Sequence, residues 1–95
     1  MEPVVVRMAG RITPADGPRL CEELAAKLGR AGTREAADGD VICDVGGLTQ
    51  VNLAVVDVLA RLQLTARRLG GRLRLHGAPP ELLALLVLVG LDEVA

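Results

Sequence analysis

The chain opens with three consecutive β-branched residues, Val4 to Val6, followed by Arg7 and Met8, a run of strand formers that Gly10 closes. From Asp16 to Leu28 the period changes. Leu20, Cys21, Leu24 and Leu28 recur at helical spacing, with Glu22, Glu23 and Lys27 on other sides. Asp16 is a suitable N-cap, and Pro18 then falls in the first turn, where its missing N–H costs little. Reading Thr13 to Asp16 as a capping box would put Pro18 one turn inside the helix, so the later start is preferred. Gly29 to Asp40 is small and polar and reads as a mobile connection, and its Asp-Gly-Asp is far short of a calcium loop. Val41 to Val45 forms a short apolar strand ended by Gly46-Gly47. A second helix runs from about Leu53 to Leu69 and stops at Gly70-Gly71, a C-cap signal. Arg72 to His76 alternates strictly, as a strand with one buried face does. Pro79-Pro80 opens a third helix through Val89, and the chain continues past Gly90 into a short tail.

Strand and helix alternate three times, so an α/β domain over residues 1–95 is expected, with a mainly parallel sheet of three to four strands. Right-handed crossovers between strands in sequential order put every helix on one face of that sheet. Strand polarity agrees. Arg7 lies between Val6 and Met8, Asp44 between Cys43 and Val45, and Arg72, Arg74 and His76 alternate with Leu73 and Leu75. A doubly covered sheet would read as continuous apolar runs. Arg7, Asp44 and Arg74 are therefore expected close together on an open face, as a surface charge cluster worth little energy.

Composition narrows the chemistry. The chain has no Phe, Trp or Tyr, so its core is built from 17 Leu, 12 Val, two Ile and small Ala. Serine is absent, and threonine occurs only at Thr13, Thr33, Thr49 and Thr65. With a single His as well, nucleophilic and acid–base catalysis have almost no reagents, so an enzyme is not expected. A net charge of −1 excludes a generally basic nucleic-acid binder. No signal peptide is read at the start, and the longest apolar run, Leu82 to Val89, is far short of the roughly 20 residues that span a bilayer. A cytoplasmic protein with no direct membrane insertion is the expectation. Cys21 and Cys43 form no metal or disulfide pattern and are read as small buried hydrophobes. No cofactor or metal is expected; Gly46-Gly47 is neither a dinucleotide fingerprint nor a P-loop.

Two helices carry more apolar surface than one core face needs. On the second helix, Val55, Val58, Leu59, Leu62, Ala66 and Leu69 form the core stripe. Leu53, Val56, Ala60 and Leu64 form another on the far side, to be covered by flanking helices or used for docking. On the third, Leu82, Leu85, Leu86 and Val89 suffice for the core, yet Leu83, Ala84, Val87 and Leu88 are apolar too. Self-association or a stable partner is the expected resolution. Charge is also uneven: Arg61, Arg67, Arg68, Arg72 and Arg74 follow an acidic segment of Glu35, Asp38, Asp40 and Asp44. A solvated face is the ordinary role of such a run. An acidic partner protein comes second, and nucleic acid a distant third without aromatics for base stacking. His76 reads as an exposed histidine.

From Val41 onward the sequence resembles the STAS domain, the family of bacterial anti-sigma factor antagonists and of the cytoplasmic domains of sulfate transporters. The matching features are Asp44-Val45 ending a strand, Gly47-Leu48-Thr49 approaching a helix, and Gly70-Gly71-Arg72-Leu73 entering a strand. Pro80-Glu81 at a helix start and Gly90-Leu91-Asp92-Glu93-Val94 at the end complete the set, and upstream Ile12, Pro18 and Leu20 stay in register. The resemblance implies a STAS-like single domain whose second helix, from its N-terminus, binds a partner. The implied contacts are Asn52, Leu53, Ala54, Val56, Asp57, Ala60, Arg61 and Leu64. In anti-sigma factor antagonists this helix opens with Asp-Ser-Ser-Gly, and its second serine is phosphorylated by the partner kinase. Here that motif aligns with Asn52-Leu53-Ala54-Val55, so Ala54 stands where the hydroxyl belongs. The resemblance therefore implies a non-catalytic interaction module lacking the phosphorylation switch, with an anti-sigma factor or related regulatory protein as partner. Alternatives are a small STAS subunit docked on a membrane transporter complex, or a ligand- or nucleotide-sensing module using the open sheet face. Family members also carry a strand before the one at Val4–Met8. Without it that strand becomes an edge, and a homodimer through this edge or through the third helix is expected.

Overall fold

The computed structural model describes residues 4–31 and 40–91. Three strands, β1 (Val4–Gly10), β2 (Asp40–Leu48) and β3 (Arg72–His76), alternate with three helices, α1 (Asp16–Ala31), α2 (Leu53–Arg68) and α3 (Pro80–Leu88). The sheet runs in the order β1-β2-β3 and both pairings are parallel. This is the α/β arrangement expected from the alternation of periods. Most of the expected connection, residues 32–39, and the tail at 92–95 lie outside the described residues, as do Glu35 and Asp38 of the acidic segment.

Register explains the two faces. Val6↔Cys43↔Leu75 and Val41↔Leu73 align inward-pointing side chains, and Val6, Met8, Val41, Cys43, Val45 and Leu73 are buried beneath the helices. From the helices come Leu20, Leu24 and Leu28 of α1, Val55, Val58, Leu59, Leu62 and Ala66 of α2, and Leu82 and Leu86 of α3. Each fully buried aliphatic side chain contributes about 1.5–3 kcal/mol, so a core without one aromatic ring still holds the domain. Cys43 belongs to this core, and burial pushes its thiol up to about 12, so it is no nucleophile at neutral pH. Cys21 is a half-buried free thiol packed at the core's margin.

The outward rows are Val5↔Ile42↔Arg74 and Arg7↔Asp44↔His76. The residue directly across from Asp44 on β3 is thus His76, and Arg74 sits one row back beside Ile42. Strand alternation places all three on the open face but does not fix which stand opposite each other. Arg7 lies 4.0 Å from Asp44 with its side chain 82% exposed, a pair worth little. Asp44 also accepts the Gly46 N–H at 3.0 Å, beside the bulge where β2 shifts register against β1.

The helix ends refine the expected boundaries. Asp16 does not cap forward; its carboxylate turns back to accept the Thr13 N–H at 2.8 Å, half of the capping box that the position of Pro18 argued against. Pro18 is accommodated because Gly17 donates its N–H to the Pro14 carbonyl, the group the proline cannot serve. The Thr13 hydrogen bond, with help from Arg19 at 3.2 Å, holds the Asp16 carboxyl below its ordinary range. The helix runs on to Ala31, beyond the expected end at Leu28.

α2 and α3 both close in Schellman motifs: Gly71 and Gly70 donate to the Ala66 and Arg67 carbonyls, and Leu91 and Gly90 to those of Leu86 and Val87. Gly70 and Gly90 sit at φ of +83° and +81°, as that turn requires. The residues just before them, Leu69 and Val89, are the C-caps, and both are exposed. Sequence periodicity had put both in the core; the chain turns away one residue too early for either to reach it.

Candidate partner-docking site

α2 packs against α1 and β3 and starts from a built N-cap. Asn52 is extended (φ −151°), and its side-chain oxygen accepts the Val55 N–H at 3.1 Å. The cap fixes where the first turn points. The first turn carries no acidic residue, so the positive end of the helix dipole stands next to Ala54 uncompensated by side-chain charge.

At 100° per residue, Leu53, Asp57, Ala60, Arg61 and Leu64 share one side of α2, opposite the core stripe. Leu53 is 70% exposed and Leu64 51%, Asp57 and Arg61 are exposed, and Ala60, Ala54 and Asn52 are half-buried. Asp57 and Arg61 form an i,i+4 ion pair at 3.2 Å between the two leucines. The Arg61 stem lies along α1, where a Cβ added to Gly17 would stand 3.4 Å from its Cδ. The arginine is thereby spread across the α1–α2 boundary instead of extending freely into solvent.

Val56 departs from this set. It is only 7% exposed and belongs to the core, although it was expected on the second stripe with Leu53. Its direction lies 100° from Val55, the same side as Gln63, which is also buried. That flank of α2 faces β3 and α3, with which α2 is in contact, so the covering expected from neighbouring helices applies to Val56 but not to Leu53 or Leu64. Periodicity had not singled out Gln63, although its seven-residue spacing from Val56 marks it as the same side. It lines a cleft of about 290 Å³ with Arg67, Arg72 and Leu73, at the far end of α2 from the Asn52 cap.

α3 supplies the other exposed apolar surface. Leu82 and Leu86 are buried, whereas Leu88 is 79% exposed and Leu83, Val87 and Val89 are exposed as well. Among the described residues no His, Cys, Asp and Glu group is arranged to hold a metal ion, and no helix is long and apolar enough to cross a membrane.

The domain is a parallel sheet covered by helices on one side, with its most apolar exposed surfaces on two of those helices, an α/β arrangement consistent with a STAS-type interaction module. Residues 1–95 match the family described as "Mlab, STAS domain", and the chain belongs to the STAS family. No curated protein matches it.

Proposed function

We propose that this protein is a non-catalytic, cytoplasmic interaction module, an anti-sigma factor antagonist homologue that has lost the phosphorylation switch. The observation that carries this reading is the start of α2, where Leu53 is exposed beside Ala54, the residue that the resemblance aligns with the acceptor serine. The partner, an anti-sigma factor or related regulatory protein, seats on Asn52, Leu53 and Ala54 and runs along Asp57, Ala60, Arg61 and Leu64. Val56 supports this surface from behind. Phosphorylation would add about −1.5 to −2 charges at a helix N-terminus and so gate docking. A methyl group there leaves binding ungated.

Incubation with ATP and an anti-sigma kinase is expected to leave the chain unphosphorylated at the start of α2. Mass spectrometry showing stoichiometric phosphate on Thr49 would overturn this. Pull-down from native cytosol tests the partner: recovery of a kinase-like anti-sigma protein supports the reading, and its absence counts against it.

The apolar surface of α3 favours a second reading, a small STAS subunit held permanently on a membrane transporter complex. Permanent interfaces are more apolar than reversible ones, and Val87 and Leu88 have little use in a chain that is often alone. Recovery of a transporter ATPase in the same pull-down would select it.

A homodimer would use the same helix. On the β1 edge, Lys27 donates to the Val5 carbonyl at 2.7 Å while pairing with Glu23 at 3.1 Å, and a lysine so placed discourages edge-to-edge pairing. We therefore place the two-fold contact on α3. Sedimentation equilibrium of untagged protein at high concentration is expected to give a mass above 9.9 kDa, and a persistent monomer refutes the dimer.

A further inference from the structure

Asp44 stands on the open face of the sheet, six positions before the chain turns from β2 toward α2. Between the pairs Arg7↔Asp44 and Ala9↔Gly47, β2 has two residues where β1 has only Met8, so β2 bulges at Val45 and Gly46. A bulge takes a backbone amide out of the ladder, and the Asp44 Oδ1 accepts the Gly46 N–H at 3.0 Å. The end of β3 reaches the same place. Its pairing with β2 stops at His76, opposite Asp44, and Gly77 then turns at φ +76°. A Cβ on Gly77 would stand 3.1 Å from the Gly46 Cα, 3.3 Å from its nitrogen and 3.8 Å from the Asp44 Oδ1. The two glycines therefore meet backbone to backbone beside one carboxylate oxygen, closer than a side chain on Gly77 allows.

We infer that Asp44 is a positioning residue for the docking surface of α2: it holds Gly46 against Gly77 and so fixes where Asn52 and Leu53 stand. The cap at Asn52 comes six positions after Gly46. On the β1 side the intervening segment is tied down by the Ala9↔Gly47 and Gly10↔Leu48 pairs, and Thr49 donates its N–H to the Gly10 carbonyl at 3.0 Å. On the β3 side the register ends at Asp44, and the Gly46–Gly77 contact takes over from it. Without the carboxylate, the Gly46 amide loses its acceptor and the bulge relaxes away from Gly77, carrying the turn into α2 with it. The Arg7 pair is a poor substitute cause, since Arg7 lies 4.0 Å from the other oxygen, Oδ2, and is largely exposed. The functional meaning of this role rests on the docking proposed for Leu53; its geometry does not.

The test follows amide NMR signals and hydrogen exchange of the full chain, free in solution. Asp44→Ala is expected to shift the signals of residues 49–54. It should also speed exchange about tenfold at the Thr49 amide and at the Val55 amide, which Asn52 caps. Asp44→Asn keeps an oxygen for Gly46 and should stay within about twofold of the parent. Gly77→Ala should move the same signals. Gly90→Ala, at a similar positive φ but with nothing within 4 Å of the added carbon, should leave them in place, as should Arg7→Gln. The role is overturned if Asp44→Ala leaves residues 49–54 unmoved, if Asp44→Asn behaves like Asp44→Ala, or if Arg7→Gln moves them as far. Unfolding of Asp44→Ala, or exchange sped uniformly through the core strands, would make Asp44 a general stabiliser and overturn it too. Leu53→Asp decides separately whether the surface docks a partner, because it alters neither Asp44 nor Gly46.

Discussion

Replacing Leu59 or Leu62 with aspartate is expected to unfold the domain. Both side chains are essentially inaccessible, within a core that joins α2 to the strands and to α1. Truncating such a leucine to alanine alone costs about 2–5 kcal/mol. Burying an unpaired carboxylate adds several more, and a domain of this size holds only about 5–15 kcal/mol in total. Circular dichroism of Leu59→Asp should show no cooperative thermal transition. A folded Leu59→Asp protein would mean that α2 is not anchored to the sheet as described.

Leu53→Asp should do the reverse: leave the fold nearly unchanged and abolish partner binding. At 70% exposure the free protein loses little apolar burial by the change. In a dry interface the same carboxylate would be desolvated without a partner and would cost several kcal/mol, at least a hundredfold in affinity. Its position in the first turn, at the positive end of α2, even stabilises the free helix slightly. Val56→Asp provides the internal contrast. Because Val56 is a core residue, this variant is expected to lose stability by several kcal/mol and should not be used to map the docking surface. Thermal melts of the two variants, measured beside partner binding, separate the effects. A Leu53→Asp protein that melts like Val56→Asp would make the start of α2 part of the core and end the docking proposal.

The Leu53/Val56 contrast shows how much of the candidate site was legible in the sequence. The helix from Leu53 and the placing of Leu53 and Leu64 opposite the core stripe follow from spacing on one helix, whereas the Asn52 cap and the Asp57–Arg61 pair appear only in the structure. The burial of Val56 does not follow from spacing either. A helical wheel gives the direction of a side chain relative to the core stripe, but only the position of β3 and α3 decides whether a residue 100° from that stripe is covered. The run of arginines from Arg61 to Arg74 stands in the sequence, whereas the cleft that Arg67 and Arg72 share exists only after the Schellman turn at Gly70 folds β3 back beneath α2.

By itself the sequence determined the order of elements, the parallel α/β architecture and the coverage of the sheet by helices on one face. Those properties rest on local period, on glycine and proline punctuation, and on the alternation of arginine with leucine along single strands. It also determined that the chain carries no serine and no hydroxyl at residues 52–55, where the second helix starts. Tertiary structure alone decided relations between elements. It put His76 and not Arg74 across from Asp44, set by the regular register in which β2 pairs with β3. It left Leu69 and Val89 outside the core because their helices close on them, and it drew Val56 inside. It also turned the Asp16 carboxylate back onto the Thr13 N–H, while the helix itself starts at Asp16 as the spacing predicts. In each case the deciding atom belongs to another turn or another strand, and periodicity along one segment carries no information about it.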